Sequence, residues 1–119
     1  MSGRVDGRVD GRVDGRVDGP VLAGTPWADL LGERATLVQL SSAFCAPCRA
    51  TRRVLAGVAA GTTGVAHVEI DADQHLELTR RLGITRTPTT LVLDAAGHEV
   101  VRAEGAPTRE QVLAVLPAP

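Results

Sequence analysis

Cys45 and Cys48 are the only two cysteines in the chain, and Ala46 and Pro47 separate them. Thiols at this spacing support two kinds of chemistry. At a helix start they can form and break a disulfide, passing two electrons per cycle. In loops they supply half of a tetrahedral zinc site, which needs two further ligands. The only other donors are three scattered histidines (His67, His75 and His98) and the carboxylates, with no second C-x-x-C and no H-x-x-x-H. Redox use is therefore favoured over zinc, and over two inert buried thiols, if the chain delivers Cys45 to a helix start.

The flanking pattern does so. Ala35 to Ser41 is a short, mostly apolar run of the kind that forms a buried central strand. Beyond it Cys48, Arg52 and Leu55, with Ala56 and Ala59, recur at spacings of three and four, predicting a helix that ends near Gly61. Cys45 then falls in the first turn, where free backbone N–H groups and the positive end of the helix dipole stabilise a thiolate. That makes Cys45 the nucleophile and Cys48, one turn on, the group that resolves a mixed disulfide. Pro47 lies within the first turn, where its missing N–H costs nothing. Arg49 adds a nearby positive charge.

The rest of the chain supplies a scaffold. Thr25-Pro26-Trp27 has the form of a helix start, with Thr25 as N-cap and Pro26 at the first helical position, running to about Leu31 and stopped by Gly32. Gly64 to Ile70 reads as a second strand. Gln74 to Leu82 reads as a helix, apolar at Leu76, Leu78 and Leu82, with Gly83 as its left-handed cap. Thr89 to Asp94 and His98 to Glu104 flank the turn Ala95-Ala96-Gly97 and form a hairpin. Thr108 with Gln111 makes a capping box for a last helix that ends before Pro117. This order predicts an α/β fold: a central mixed sheet, parallel in its β-α-β part and antiparallel at its end, with helices on both faces.

Residues Gly3 to Asp18 are four copies of Gly-Arg-Val-Asp. One small apolar residue per copy cannot offset the entropy of ordering the backbone. The expected organisation is a disordered tail over 1–19 and one domain over 20–119, close to the usual domain size of about 100–150 residues. Trp27 and Phe44 are the only aromatics, so the core must be aliphatic, with Trp27 expected inside it. All thirteen basic residues are Arg and the net charge is −1; without a basic field, nucleic-acid binding is excluded. No run of about 20 apolar residues is present to span a bilayer as a helix, and the N-terminus lacks the apolar stretch of a secretory signal. The expected compartment is the cytoplasm, where a purely structural disulfide would be out of place.

Phe44-Cys45-Ala46-Pro47-Cys48-Arg49 resembles the thioredoxin signature, in which an aromatic precedes Cys-Gly-Pro-Cys-Lys or a close variant. Gly83-Ile84-Thr85-Arg86-Thr87-Pro88-Thr89 resembles the family segment that holds a cis-proline beside the disulfide. Ile70-Asp71-Ala72-Asp73 resembles the end of the family's central strand. Together these cover about residues 21–117. The resemblance implies a thioredoxin fold that exchanges disulfides with protein substrates. Pro88 would be the cis-proline, the backbone of Thr87 would pair with an extended substrate strand, and Gly105 would let the partner approach closely. Phe44, Ala46 and Pro47 would complete the contact surface. The resemblance further implies a monomer without a bound cofactor, drawing electrons from a thioredoxin reductase or similar donor.

Some positions depart from the family. Gln39 stands where a buried Asp is usual, His67 where many members carry Lys, Phe44 where Trp is usual, and Ala46 where Gly is commonest. The family Asp is held to help move the proton of the second cysteine, and a Gln cannot accept one. His67, with an ordinary pKa near 6.5, or a water held by Gln39 is the candidate replacement; the alternative is that His67 only fills its strand face. Two other uses fit the resemblance: an extracytoplasmic reductase of the cytochrome c maturation type, and a thioredoxin-fold binding module without catalysis. His75, on a helix surface, His98, in a turn, and the acidic rim of Asp71, Asp73 and Glu77 are expected to be solvated.

Overall fold

The computed structural model describes residues 19–119, and the expected tail lies, Gly19 apart, outside them. Its organising element is β1 (Ala35–Ser41), buried at every position. The chain continues through α1 (Ala46–Gly61), β2 (Val65–Asp71), α2 (Leu76–Arg81), β3 (Thr89–Leu93), β4 (Glu99–Glu104) and α3 (Arg109–Ala114). The sheet order is β2-β1-β3-β4. β1 runs parallel to β2, with Ala35 opposite Val65, and antiparallel to β3, with Thr36 opposite Leu93. β3 and β4 form the antiparallel hairpin. This is the mixed sheet the sequence predicts.

Alternation along β1 divides the core. Ala35 and Leu37 join Leu55 and Val58 of α1, Val65, Val92 and Val112 of α3 on one face. Val38 and Leu40 join Val21, Leu22, Val68, Ile70, Leu82, Leu91 and Leu93 on the other, with Trp27, Leu31 and Leu78 packed around them. Helices α1 and α3 therefore cover one face, while α2 and the segment 21–31 cover the other. Trp27 is only partly buried, and meets the His75 ring edge-on at 4.9 Å between centroids.

Three local expectations are corrected. The helix expected from Thr25 to Leu31 is a single 3-10 turn, Ala28–Leu30. The Thr25 hydroxyl turns back to donate to the Leu22 carbonyl at 2.6 Å, and Leu31 is already extended as the chain heads for β1. The helix expected from Gln74 is split. A 3-10 turn, Ala72–Gln74, is capped by the Asp71 carboxylate, and α2 begins only after a break at His75. The break resets the helical phase, so Leu76 is 55% exposed while Leu82 is buried. In α1 the buried stripe is Cys48, Thr51, Leu55 and Val58; the expected Cys48 and Leu55 lie in it, whereas Arg52 and Ala56 are exposed and Ala59 is half-buried. Thr51 can be buried because its hydroxyl donates to the Pro47 carbonyl at 2.8 Å.

Other caps form as expected. Thr108 and Gln111 make the reciprocal capping box of α3, and Gly83 takes a left-handed φ of 70°. Helix α3 is short, leaving an apolar trough of about 590 Å³ above β3 and β4, lined by Val92, Val101, Ala103, Val112 and Val115. At its floor the Thr90 hydroxyl is buried without a hydrogen-bond partner among the described residues.

Two substitutions check this account by urea denaturation. Leu40→Ala, which empties a fully buried site, should cost about 2–5 kcal/mol. Thr90→Val, which removes an unpaired buried hydroxyl at constant shape, should be neutral or stabilising by up to about 1 kcal/mol.

Candidate active site

At the end of β1 the chain must reverse to enter α1, and it does so through Ser42, Ala43 and Phe44. Phe44 adopts a φ of 58°, in the left-handed region that non-glycine residues rarely occupy. The kink leaves its ring fully exposed. Cys45 follows as the N-cap of α1, with extended φ and ψ, not as a residue of the first turn. The correction strengthens the expected chemistry, because an N-cap side chain faces the free N–H groups directly. The Cys48 N–H donates to Cys45 Sγ at 3.2 Å.

Cys45 and Cys48 are disulfide-bonded, with their Cα atoms 5.2 Å apart. Cys48 is buried, whereas Cys45 is half-exposed. Of the two sulfur-bearing residues, Cys45 is the one open to approach from solvent. Ala46, Pro47 and Arg49 are exposed around the pair.

The loop before β3 arrives beside the cysteines. The Thr87–Pro88 peptide is cis, as the resemblance implies. The Ser42 and Thr87 hydroxyls are 2.9 Å apart and hydrogen-bonded, tying the cysteine loop to the proline loop. The Gly105 N–H donates to the Pro88 carbonyl at 2.9 Å, which brings Gly105 to the same end of the sheet. Gly105 has a φ of 88°, and a Cβ placed on it would meet nothing within 4 Å. Its surroundings are open, as a docking edge requires. The backbone of Thr87 makes no loop or turn hydrogen bond among the described residues, so it is available to pair with another strand.

Beneath the disulfide lie the two polar departures. Gln39 is completely buried, and its amide nitrogen donates to the Cys48 carbonyl and to Ser41 Oγ, both at 2.8 Å. Its oxygen meets His67 Nε2 at 3.0 Å. Burial pushes the His67 imidazole below its ordinary pKa, an effect opposed by Glu69 and reinforced by Arg52. Glu69 is paired in bidentate fashion with Arg52, at 2.6 and 2.8 Å. That pairing, above all, holds its carboxyl below the usual range.

Phe44, Cys45, Ala46, Pro47, Cys48, Thr87, Pro88 and Gly105 thus form one end of the sheet, with Gln39 and His67 in the layer beneath. The sequence reading missed Ser41, Ser42, Arg52 and Glu69. Glu69 is drawn in by its register opposite Gln39, and parallel register leaves no mark on the sequence. His75 touches Trp27 and is only half-exposed, while His98 lies on the surface near Asp94. Asp71 serves as a cap. Among the described residues no cluster of His, Cys, Asp and Glu is arranged to hold a metal, and no helix is long and apolar enough to cross a membrane.

The profile of the thioredoxin-like domain matches residues 27–118. The chain belongs to the thioredoxin-like family. Among solved structures it is similar to chloroplastic thioredoxin z, at 28% identity and a TM-score of 0.63 over 70% of this chain and 75% of that one. It is similar to thioredoxin NaTrxh from Nicotiana alata at 29% identity, with a TM-score of 0.61 over 70% and 71%. The thioredoxin of Fasciola hepatica follows at 25% and 0.62, over 75% and 84%. No protein of curated function matches the sequence. A thioredoxin-like fold with a C-x-x-C pair at bonding distance is the arrangement of a thiol–disulfide oxidoreductase.

The two shifted groups predict how this thioredoxin-like domain responds to acid. Folded, His67 binds a proton less readily than at its ordinary 6.5, and Glu69 less readily than at its ordinary 4.5. In both windows the unfolded chain binds more protons, so stability falls as pH falls. The loss begins below 6.5 through His67 and resumes below 4.5 through Glu69. Urea midpoints measured from about pH 8 to pH 3 should show both steps. His67→Gln should remove the upper step alone.

Proposed function

We propose that this protein reduces disulfide bonds in other proteins by dithiol–disulfide exchange through Cys45 and Cys48. The observation that carries the proposal is the placement of Cys45 Sγ. It is the half-exposed N-cap of α1, it accepts the Cys48 N–H, and it is bonded to a buried Cys48.

In the reduced protein the N-terminal dipole and the free N–H groups favour the Cys45 thiolate. It attacks one sulfur of a substrate disulfide, forming a mixed disulfide and releasing one substrate thiolate, which takes up a proton. The Cys48 thiol then loses its proton and attacks Cys45 Sγ, expelling the second substrate thiolate. The substrate has gained two electrons and the protein holds the Cys45–Cys48 disulfide. No other redox group is required in this cycle.

The free backbone of Thr87 offers a strand edge for an extended substrate segment, a mode that recognises main chain and tolerates many sequences. Gly105 keeps the approach open, and Phe44, Ala46 and Pro47 supply exposed contact surface. A dithiol reductase or similar donor, such as a thioredoxin reductase, returns electrons to the pair. A reducing cytoplasm suits this direction of flow.

Insulin reduction, followed by turbidity with dithiothreitol as donor, tests the proposal. The full chain should accelerate precipitation, and Cys45→Ser should fall to the rate of dithiothreitol alone. Cys48→Ser should instead accumulate a mixed disulfide with insulin, visible on a non-reducing gel. A full chain no faster than dithiothreitol alone would overturn the proposal and leave a binding role.

A further inference from the structure

The polar layer under the disulfide has a fixed hydrogen-bond polarity. The Cys48 carbonyl can only accept, so the Gln39 amide nitrogen must face it and the amide oxygen must face His67. That oxygen in turn can only accept, so His67 Nε2 carries a hydrogen whether the ring is neutral or charged. The neutral ring is therefore the Nε2–H tautomer, and Nδ1 is the atom free to take a proton. On the other side of the amide, Ser41 takes a hydrogen from Gln39. Glu69 is matched by Arg52.

The charged neighbours of His67 are therefore Glu69 on its own strand and Arg52 from α1, and these neutralise each other. β1 contributes only uncharged Gln39 and Ser41. Within this layer one group can change its charge near neutral pH. It is joined to the first turn of α1 through a single amide.

We propose that His67 is the proton-linked residue that sets the redox poise of the Cys45–Cys48 pair, acting through Gln39 as a positioning residue. The inference rests on the redox reading above. Reducing the disulfide creates a negative thiolate at Cys45, and that charge draws a proton onto His67 Nδ1. The balanced step is disulfide, two electrons and two protons going to Cys45 thiolate, Cys48 thiol and His67 imidazolium. Where His67 does not take part, only one proton is taken up, at Cys48. By linkage, a protonated His67 favours the reduced pair by the factor through which reduction raises its proton affinity. Half-burial of the ring disfavours its charged form in the oxidised protein, which leaves it free to respond.

The test is a proton NMR titration of the three imidazoles in the full chain, oxidised and then reduced with dithiothreitol. His67 should titrate about half a pH unit or more higher in the reduced protein, a roughly threefold gain in proton affinity. His67→Gln serves to assign the resonance, and the titration itself uses the unmodified chain. A second measurement is the equilibrium with glutathione from about pH 5 to pH 8. Without the coupling, the extent of reduction rises about tenfold per pH unit once Cys45 is a thiolate. The unmodified chain should flatten across the interval between the two His67 midpoints, and His67→Gln should not.

A His67 midpoint that is the same in both states, with parallel glutathione curves for the two proteins, overturns the inference while leaving the reductase reading intact. A chain that forms no disulfide in oxidised glutathione overturns both.

Discussion

The whole arrangement depends on the burial of β1. Every side chain of Ala35–Ser41 is enclosed, so each backbone group must be paired along the sheet and each polar side chain must find a partner inside the protein. The apolar positions meet this by alternation, sending Leu37 to one core and Val38 and Leu40 to the other. Gln39 meets it differently. Its amide can be satisfied only by reaching up to the Cys48 carbonyl, across to Ser41 and sideways to His67. The strand that holds the domain together therefore also grips the first turn of the helix that carries the cysteines.

A carboxamide in that position has a physical consequence that a carboxylate would not share. It makes as many hydrogen bonds but brings no charge, so it leaves the thiolate at the helix start unopposed. The charges nearby, Glu69 and Arg52, are held in a bidentate pair at the edge of the layer. Such a pair is nearly neutral when viewed from the disulfide. The electrostatics of the dithiol are thus left to the helix terminus and to one half-buried imidazole.

Much of this could be seen in the sequence, and the reasons are local. The apolar run at Ala35–Ser41, the caps at Thr108 and Gly83, and the stop at Gly61 all depend on neighbours a few residues away, and the structure places them as expected. The thioredoxin-like signatures located Cys45, Cys48 and Pro88. What escaped was phase and register. Alanines on several sides of α1 blurred its apolar stripe, and Thr51 entered the core because Pro47 offers it a carbonyl. The short helix read from Thr25 lost to tertiary packing, as Val21, Leu22 and Leu31 were drawn separately into the same core. Glu69 joined the site through strand pairing, which no window of sequence contains.

The sheet order also dictates when the site comes into being. β1 emerges early from synthesis, but β2 pairs with it only after the whole of α1, and β3 only after α2 as well. Closing such distant pairings is what slows the folding of sheets relative to helical bundles. Until β3 zips against β1, Cys45 has a helix behind it but no Thr87 or Pro88 beside it, and the sticky face of β1 stays uncovered. Cys45 and the Thr87–Pro88 loop meet only when that long-range pairing forms. On the proposed function, a nascent or half-folded chain would carry its thiols without the neighbouring loop, so the competence to exchange disulfides would arrive together with the closed core.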